Sequence, residues 1–205
     1  MPDGGSVSLG FGGLVATVGD HIGHYYQDGE ECVSLATDFF VPAFADIPEK
    51  CVCLAEPASQ AKILTALADR GVDVARARDS GQLVMFGGSS SPADLEQRLH
   101  QELRDVPDRF RIIRWLGDMT WSFSQMADTE TLMEWETVCN VVSARAVFLC
   151  QYDLHRFPGS VVVDALRSHP LSIIGETIYE NPYYLDPQDF LSQVRSRPAS
   201  ALQAG

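Results

Sequence analysis

Short apolar runs alternate with segments of helical period along most of this chain. The first run, Ile22 to Tyr26, ends at the turn "QDGEE". Behind it Val33, Ala36, Phe40, Phe44 and Ile47 share one helical face, which predicts a helix from about Glu30. Asp28 stands at the N-cap with Glu31 three residues on, a capping-box pair, and Pro42 is expected to kink the helix. The second run is Cys51 to Ala55. Its helix, "EPASQAKILTALADRG", closes at Gly71. The third is Gln82 to Phe86, followed by a helix with Ser91 as cap and Pro92 at its first position.

The fourth run, Phe110 to Met119, precedes a stripe of Leu132, Trp135, Val138 or Cys139, and Val142 behind the cap Asp128. The fifth run, Ala146 to Asp153, leads to a helix over Val161 to Ser168. The sixth is Leu171 to Gly175. After it, Asp186 caps a last helix that starts at Pro187. Strands that alternate with helices predict an α/β fold: a mainly parallel sheet of about six or seven strands with helices on both faces.

Ligands in such folds sit beyond the carboxyl ends of the strands. The residues placed there are Tyr25, Tyr26 and Gln27; Glu56; Gly87 and Gly88; Asp118, Met119 and Trp121; Gln151, Tyr152 and Asp153; and Glu176. They are aromatic, carboxamide and carboxylate groups with little positive charge.

Composition narrows the classes. The 205 residues are 45% apolar and 21% charged, which fits one globular domain rather than disorder. The formal net charge of -13 opposes direct contact with nucleic acid or an anionic membrane and suits a basic protein partner. No apolar run reaches the roughly 18 residues of a membrane span. The Gly-rich residues 1–19 lack the basic start of a signal peptide and are expected to be a flexible lead-in. Residues 20–196 are then the single domain, and 197–205 a flexible tail. Five cysteines, an odd number set in apolar runs, fit a reducing cytoplasm better than a disulfide framework.

The first strand-helix turn holds the place of a phosphate loop, yet it has no G-x-x-x-x-G-K-[ST] and is acidic where phosphate would sit. The chain's two lysines, Lys50 and Lys62, do not follow a glycine-rich turn. "GGSSS" reads as a connector. Neither a G-x-S-x-G nor a pair of carboxylates stands out, so no enzyme is expected.

His21 and His24 lie three apart on a strand and point to opposite faces. Zinc needs at least three ligands, and no H-x-x-x-H or CxxC is at hand; no metal is expected, and the identity of any cofactor stays open. His24 shares a face with Tyr26, and His21 with Gly23 and Tyr25. Which pair looks into the cleft stays open. Cys51 and Cys53 read as buried small hydrophobes. Trp115 and Trp135 read as core, and Trp121, after a strand end, as the best pocket wall. His169, just before a strand at the opposite edge, reads as structural.

Six segments in order, "HIGHYYQDGEE", "QLVMF", "LGDMTW", "CQYDLHRFPG", "DALRSHPLSIIG" and "YENPYYLDPQDFL", resemble successive motifs of the MEDS domain family, the DcmR-type sensory domain of methanogens and methylotrophs. The resemblance runs from about His21 to Leu191. It implies a RecA/KaiC-like sheet without a phosphate loop and a non-enzymatic domain that senses small molecules, hydrocarbon derivatives among them. The motif residues are His21, His24 and Tyr26, then Asp118 and Trp121, then Cys150, Gln151 and Tyr152, then His169 and Asn181 with Tyr184. Gly23 stands where many members carry cysteine, which weakens thiol or metal chemistry at that spot.

The expected ligand is small and largely uncharged. Tyr26, Trp121 and Tyr152 would be its walls, His24, Asp118 and Gln151 its polar anchors, and His21 and Tyr184 would complete the set. The expected partner is a histidine kinase, an anti-sigma-type protein or a transcription regulator, and a homodimer is a further arrangement. Two other readings stand beside this one: an interaction module with a vestigial cleft that docks such a partner, and a residual nucleotide binder.

Overall fold

The computed structural model describes residues 5–104, 106–142, 145–175, 177–197 and 202. In chain order they form β1 (Ser6–Ser8), β2 (Val15–Thr17), β3 (His21–Tyr26), α1 (Gly29–Phe40), β4 (Lys50–Leu54), α2 (Pro57–Asp69), α3 (Val74–Asp79), β5 (Leu83–Phe86), α4 (Pro92–Arg104) and α5 (Val106–Arg109). There follow β6 (Ile113–Asp118), α6 (Ser122–Gln125), α7 (Thr129–Val141), β7 (Ala146–Asp153), α8 (Gly159–Ser168), β8 (Leu171–Ile174), β9 (Thr177–Glu180) and α9 (Pro187–Arg195). Glu176, placed at a strand end by sequence, lies outside the described residues.

A seven-stranded sheet runs in the order β5-β4-β6-β7-β3-β8-β9. All its pairs are parallel except β8 with β9, so the carboxyl ends of β3, β4, β5, β6, β7 and β8 meet at one edge. The chain steps one way from β3 through β4 to β5, then reverses through β6, β7 and β8. Crossovers of one hand must change faces when the direction reverses. The two cores follow that rule. Leu35 and Phe39 of α1, Ile63 of α2 and Ala77 of α3 pack one face. Leu99 of α4, Leu132 of α7, Ala165 of α8 and Phe190 of α9 pack the other. The expected layers are therefore present.

The caps agree with the sequence. Asp28, Asp128 and Asp186 accept backbone N–H groups from Glu30, Thr131 and Gln188 at 2.8–2.9 Å, and Ser91 Oγ accepts from Asp94. Pro42 ends α1 rather than bending it: a 3-10 turn, Val41–Phe44, follows, and Ile47 lies beyond it, exposed.

Residues 6–17, expected to be a flexible lead-in, form instead the antiparallel hairpin β1–β2. Val7 and Leu9 are fully buried in the α1-side core, which holds the hairpin down. At the other end Arg197 forms a two-pronged ion pair with the Asp164 carboxylate, and Leu202 is buried in the α7-side core. The short α3 and the antiparallel β9 were not among the predicted elements. No helix of the described residues is long and apolar enough to cross a membrane.

Buried charges are paired near the amino ends of the strands. Arg114 donates from Nε to Glu49 Oε2 at 2.5 Å and from Nη1 to the Phe39 carbonyl at 2.8 Å, and Arg111 also reaches Glu49. Lys50 Nζ lies 2.6 Å from Glu102 Oε2.

Candidate functional site

Both faces of β3 are covered, so the choice between its two histidines resolves into two buried clusters. His21 and His24 are each fully buried. Strand alternation sends them to opposite sides of the sheet.

On the α1 side, His24 is paired through the register with Gln151 of β7. The Gln151 amide nitrogen donates to the Cys32 carbonyl at 3.0 Å and toward His24 Nδ1 at 3.2 Å, while its oxygen accepts from Cys32 Sγ at 3.3 Å. That fixes the amide orientation and leaves the His24 proton on Nε2. Nε2 faces Glu31 Oε1 at 3.4 Å. Burial lowers the His24 pKa, opposed by its bond to Glu31. Glu31 is the member nearest water, its side chain 39% exposed. It helps line a groove of about 310 Å³ with Phe11, Ser34, Leu35, Asp38 and Gly175.

Tyr26 stacks obliquely on His24, ring centres 5.7 Å apart, and its hydroxyl pKa is raised by burial and by Asp118. Asp118 is itself buried and accepts from Thr120 N and Oγ1 at 3.2 and 2.8 Å. Its charge, after burial, also pushes up the Cys32 thiol. Thus His24, Tyr26, Asp118 and Gln151 come together as predicted, joined by Glu31 and Cys32 of α1.

The other predicted residues lie elsewhere. Tyr152, next to Gln151 on β7, points to the α7 side and stacks on Tyr25 at 5.9 Å. Trp121 is buried in the same α7-side core, its Nε1 without a hydrogen-bond partner among the described residues. It packs on Gly88, where a Cβ would come within 1.8 Å of the indole, so the second glycine of the connector is a steric requirement. Tyr184 is half-buried, with its backbone N–H donating to the Asn181 carbonyl. A single cleft walled by Tyr26, Trp121 and Tyr152 together is not formed, because the sheet separates them. A larger groove, about 920 Å³, lies at the opposite edge of the sheet, between Pro48, Gln82 and Phe110.

The second cluster, on the α7 side, joins His21 to residues that sequence spacing did not connect. Glu136 of α7 is fully buried, with Oε2 3.1 Å from His21 Nε2 and 3.3 Å from His169 Nε2. Cys150 Sγ lies 3.4 Å from His21 Nε2, and the Tyr152 hydroxyl donates to Glu136 Oε1. Gly23 leaves room for this: a Cβ there would press on the Tyr25 hydroxyl and the His169 ring. Burial, then the neighbouring His169, lowers the His21 pKa to about 4. Burial alone would raise the Glu136 carboxyl, but His169 and His21 hold it well below the usual carboxylate range. Burial and Glu136 push the Cys150 thiol well up.

His169 stands just before β8, at the amino edge as expected, and there it belongs to a buried polar cluster. The missed signal was Glu136 itself, a charged residue at helical spacing with Leu132, Cys139 and Asn140, inside the apolar face.

The acidic turn opposes anion binding. Asp28 fills the α1 N-terminus with its own carboxylate, and Glu30 and Glu31 add charge in the first turn.

Two likenesses accompany this geometry. A family model described as MEDS, the MEthanogen/methylotroph, DcmR Sensory domain, matches residues 20–170. The Transcriptional repressor DcmR of Methylorubrum extorquens is 28% identical over 123 residues, covering 58% of this chain and 46% of the repressor. The match therefore spans less than half the length of that relative.

Proposed function

This chain belongs to the MEDS domain family, and from that premise we propose that it is a non-enzymatic sensory domain that binds a small, largely uncharged molecule and signals to a partner regulator. The observation that carries the reading is the chain of bonds Glu31–His24–Gln151–Cys32, which links a solvent groove to the interior of the sheet. Grooves that bind small molecules begin at about 300 Å³. A ligand entering beside Glu31 competes for the His24 Nε2 proton, with Tyr26 as an apolar wall and Asp118 behind. Loss of the Glu31 contact frees the first turn of α1, so occupancy shifts the population of two arrangements of that edge. Hydrocarbon derivatives such as short alcohols, aldehydes and halogenated alkanes fit the lack of cationic groups in the cluster.

The partner is proposed to be a transcription regulator, in keeping with the repressor relative. The edge next to β9 supports an outward contact: Ile174, Tyr179 and Tyr183 are exposed there.

Saturation-transfer NMR with a panel of those three compound classes tests the ligand site. Wild type is expected to give signal with at least one class, and His24→Ala to lose it. Silence across the panel, or equal signal from the variant, would reject the site.

A further inference from the structure

The α7-side cluster brings hydrogen-bond acceptors together with too few protons between them. Asn140 Nδ2 donates to the carbonyls of Ser168 at 2.8 Å and Glu136 at 3.3 Å. Its Oδ1 therefore faces His21 Nδ1 at 3.2 Å, so Nδ1 carries the ring proton and Nε2 presents a lone pair. His169 Nδ1 lies 2.6 Å from the Ala165 carbonyl, which places a proton on Nδ1, so Nε2 of the neutral ring presents a lone pair. Both bare nitrogens point at Glu136 Oε2, at 3.1 and 3.3 Å. Glu136 Oε2 and His169 Nε2 are buried and have no hydrogen-bond partner among the described residues. Lone pairs held this close need a cation among them, a second ring proton or a metal ion.

We propose that His21, Glu136, Cys150 and His169 form a binding site for a divalent first-row transition ion, with zinc as its natural occupant. The four donor atoms lie within 4.8 Å of one another. Around a tetrahedral zinc, nitrogen and oxygen ligands at about 2.0–2.1 Å stand roughly 3.3 Å apart, which the two contacts of Glu136 Oε2 with the histidines, 3.1 and 3.3 Å, match. Two imidazoles, a thiolate and a carboxylate suit an ion of intermediate softness. Binding displaces the Cys150 proton, and the dication then balances one thiolate and one carboxylate. The outer contacts are those of a metal site: Asn140 and the Ala165 carbonyl orient the two rings, and Tyr152 holds the second Glu136 oxygen.

The donors come from β3, α7, β7 and the end of α8, so the ion ties two helices to two adjacent strands. All four residues are buried, so no position stays open to water; the site is a structural one, closed against hydrolysis. The sequence expectation of no metal rests on the separation of His21 from His24 and on the lack of a third ligand or an H-x-x-x-H or CxxC motif nearby. That separation stands, and His21 finds its companions on other elements. This proposal does not depend on the sensory reading, whose ligand lies across the sheet.

A buried ion enters during folding. The full chain is therefore produced in zinc-supplemented medium for elemental analysis, and separately refolded from denaturant with Co²⁺, with circular dichroism as the check of fold. The expected wild type carries about one zinc per chain, and its cobalt form shows a thiolate charge-transfer band with strong visible bands. Cys150→Ser should lose the charge-transfer band. Asn140→Ala removes no proposed ligand but takes away the contact that orients His21, together with two bonds to backbone carbonyls, and should weaken binding about 10- to 100-fold. A folded wild type that holds no zinc and takes up no cobalt overturns the proposal. So does a cobalt spectrum that Cys150→Ser and Asn140→Ala both leave unchanged. If the serine variant does not fold, the Asn140→Ala affinity decides alone.

Discussion

Glu31 meets His24 Nε2 at 3.4 Å, so the third residue of α1 is bonded to the strand that precedes the helix. In a capping box that carboxylate would turn back to the backbone of the N-cap. Here Asp28 caps α1 alone, and Glu31 is released for the cleft. The contact makes the start of α1 answerable to the state of a buried ring.

That relationship has a pH signature. Burial depresses the folded-state pKa of His24 below 6.5, so below that pH the unfolded chain binds more protons than the folded one. Stability is fully present above about pH 6.5 and is lost as the pH falls below it. Urea midpoints measured from pH 8 to pH 5 should hold steady and then decline, and His24→Gln should flatten part of the decline. Equal slopes in wild type and variant would mean that His24 titrates as freely when folded as when unfolded.

Glu49→Ala leaves Arg114 without its carboxylate. Arg114 is 1% exposed and stays fixed by the Ser8 and Phe39 carbonyls, so the charge cannot reach water. The expected loss is about 3–5 kcal/mol in urea unfolding. A change near zero would show that the guanidinium finds solvent.

Gly88→Ala drives a methyl group into the Trp121 ring, which is itself 1% exposed and has no space to retreat. A cost of about 1–3 kcal/mol is expected, with altered tryptophan fluorescence. An unchanged melting curve and spectrum would mean that the connector moves freely off the indole.

The sequence carried the layer architecture well, because period and caps are local. Asp28, Ser91, Asp128 and Asp186 all cap the helices expected of them. Strand alternation also separated His21 from His24 correctly. Local pattern could not reveal that Val7 and Leu9 dock on α1, since a Gly-rich stretch reads as flexible until its partner surface is known. Nor could it pair His21 with Glu136 and His169, which stand 115 and 148 positions away and meet only through strand order. Half of the expected set comes together in space for the same reason. His24, Tyr26, Asp118 and Gln151 lie on one face by alternation along three parallel strands, whereas Tyr152 and Trp121 fall to the other side.

The central claim is that a small molecule is sensed at His24 and Gln151, and the melting temperature with and without ligand tests it most directly. At a ligand concentration about 100 times its Kd, wild type should melt about 5–10 °C higher, and His24→Ala and Gln151→Leu should show no shift. Shifts of equal size in wild type and both variants would place the ligand elsewhere and contradict the account.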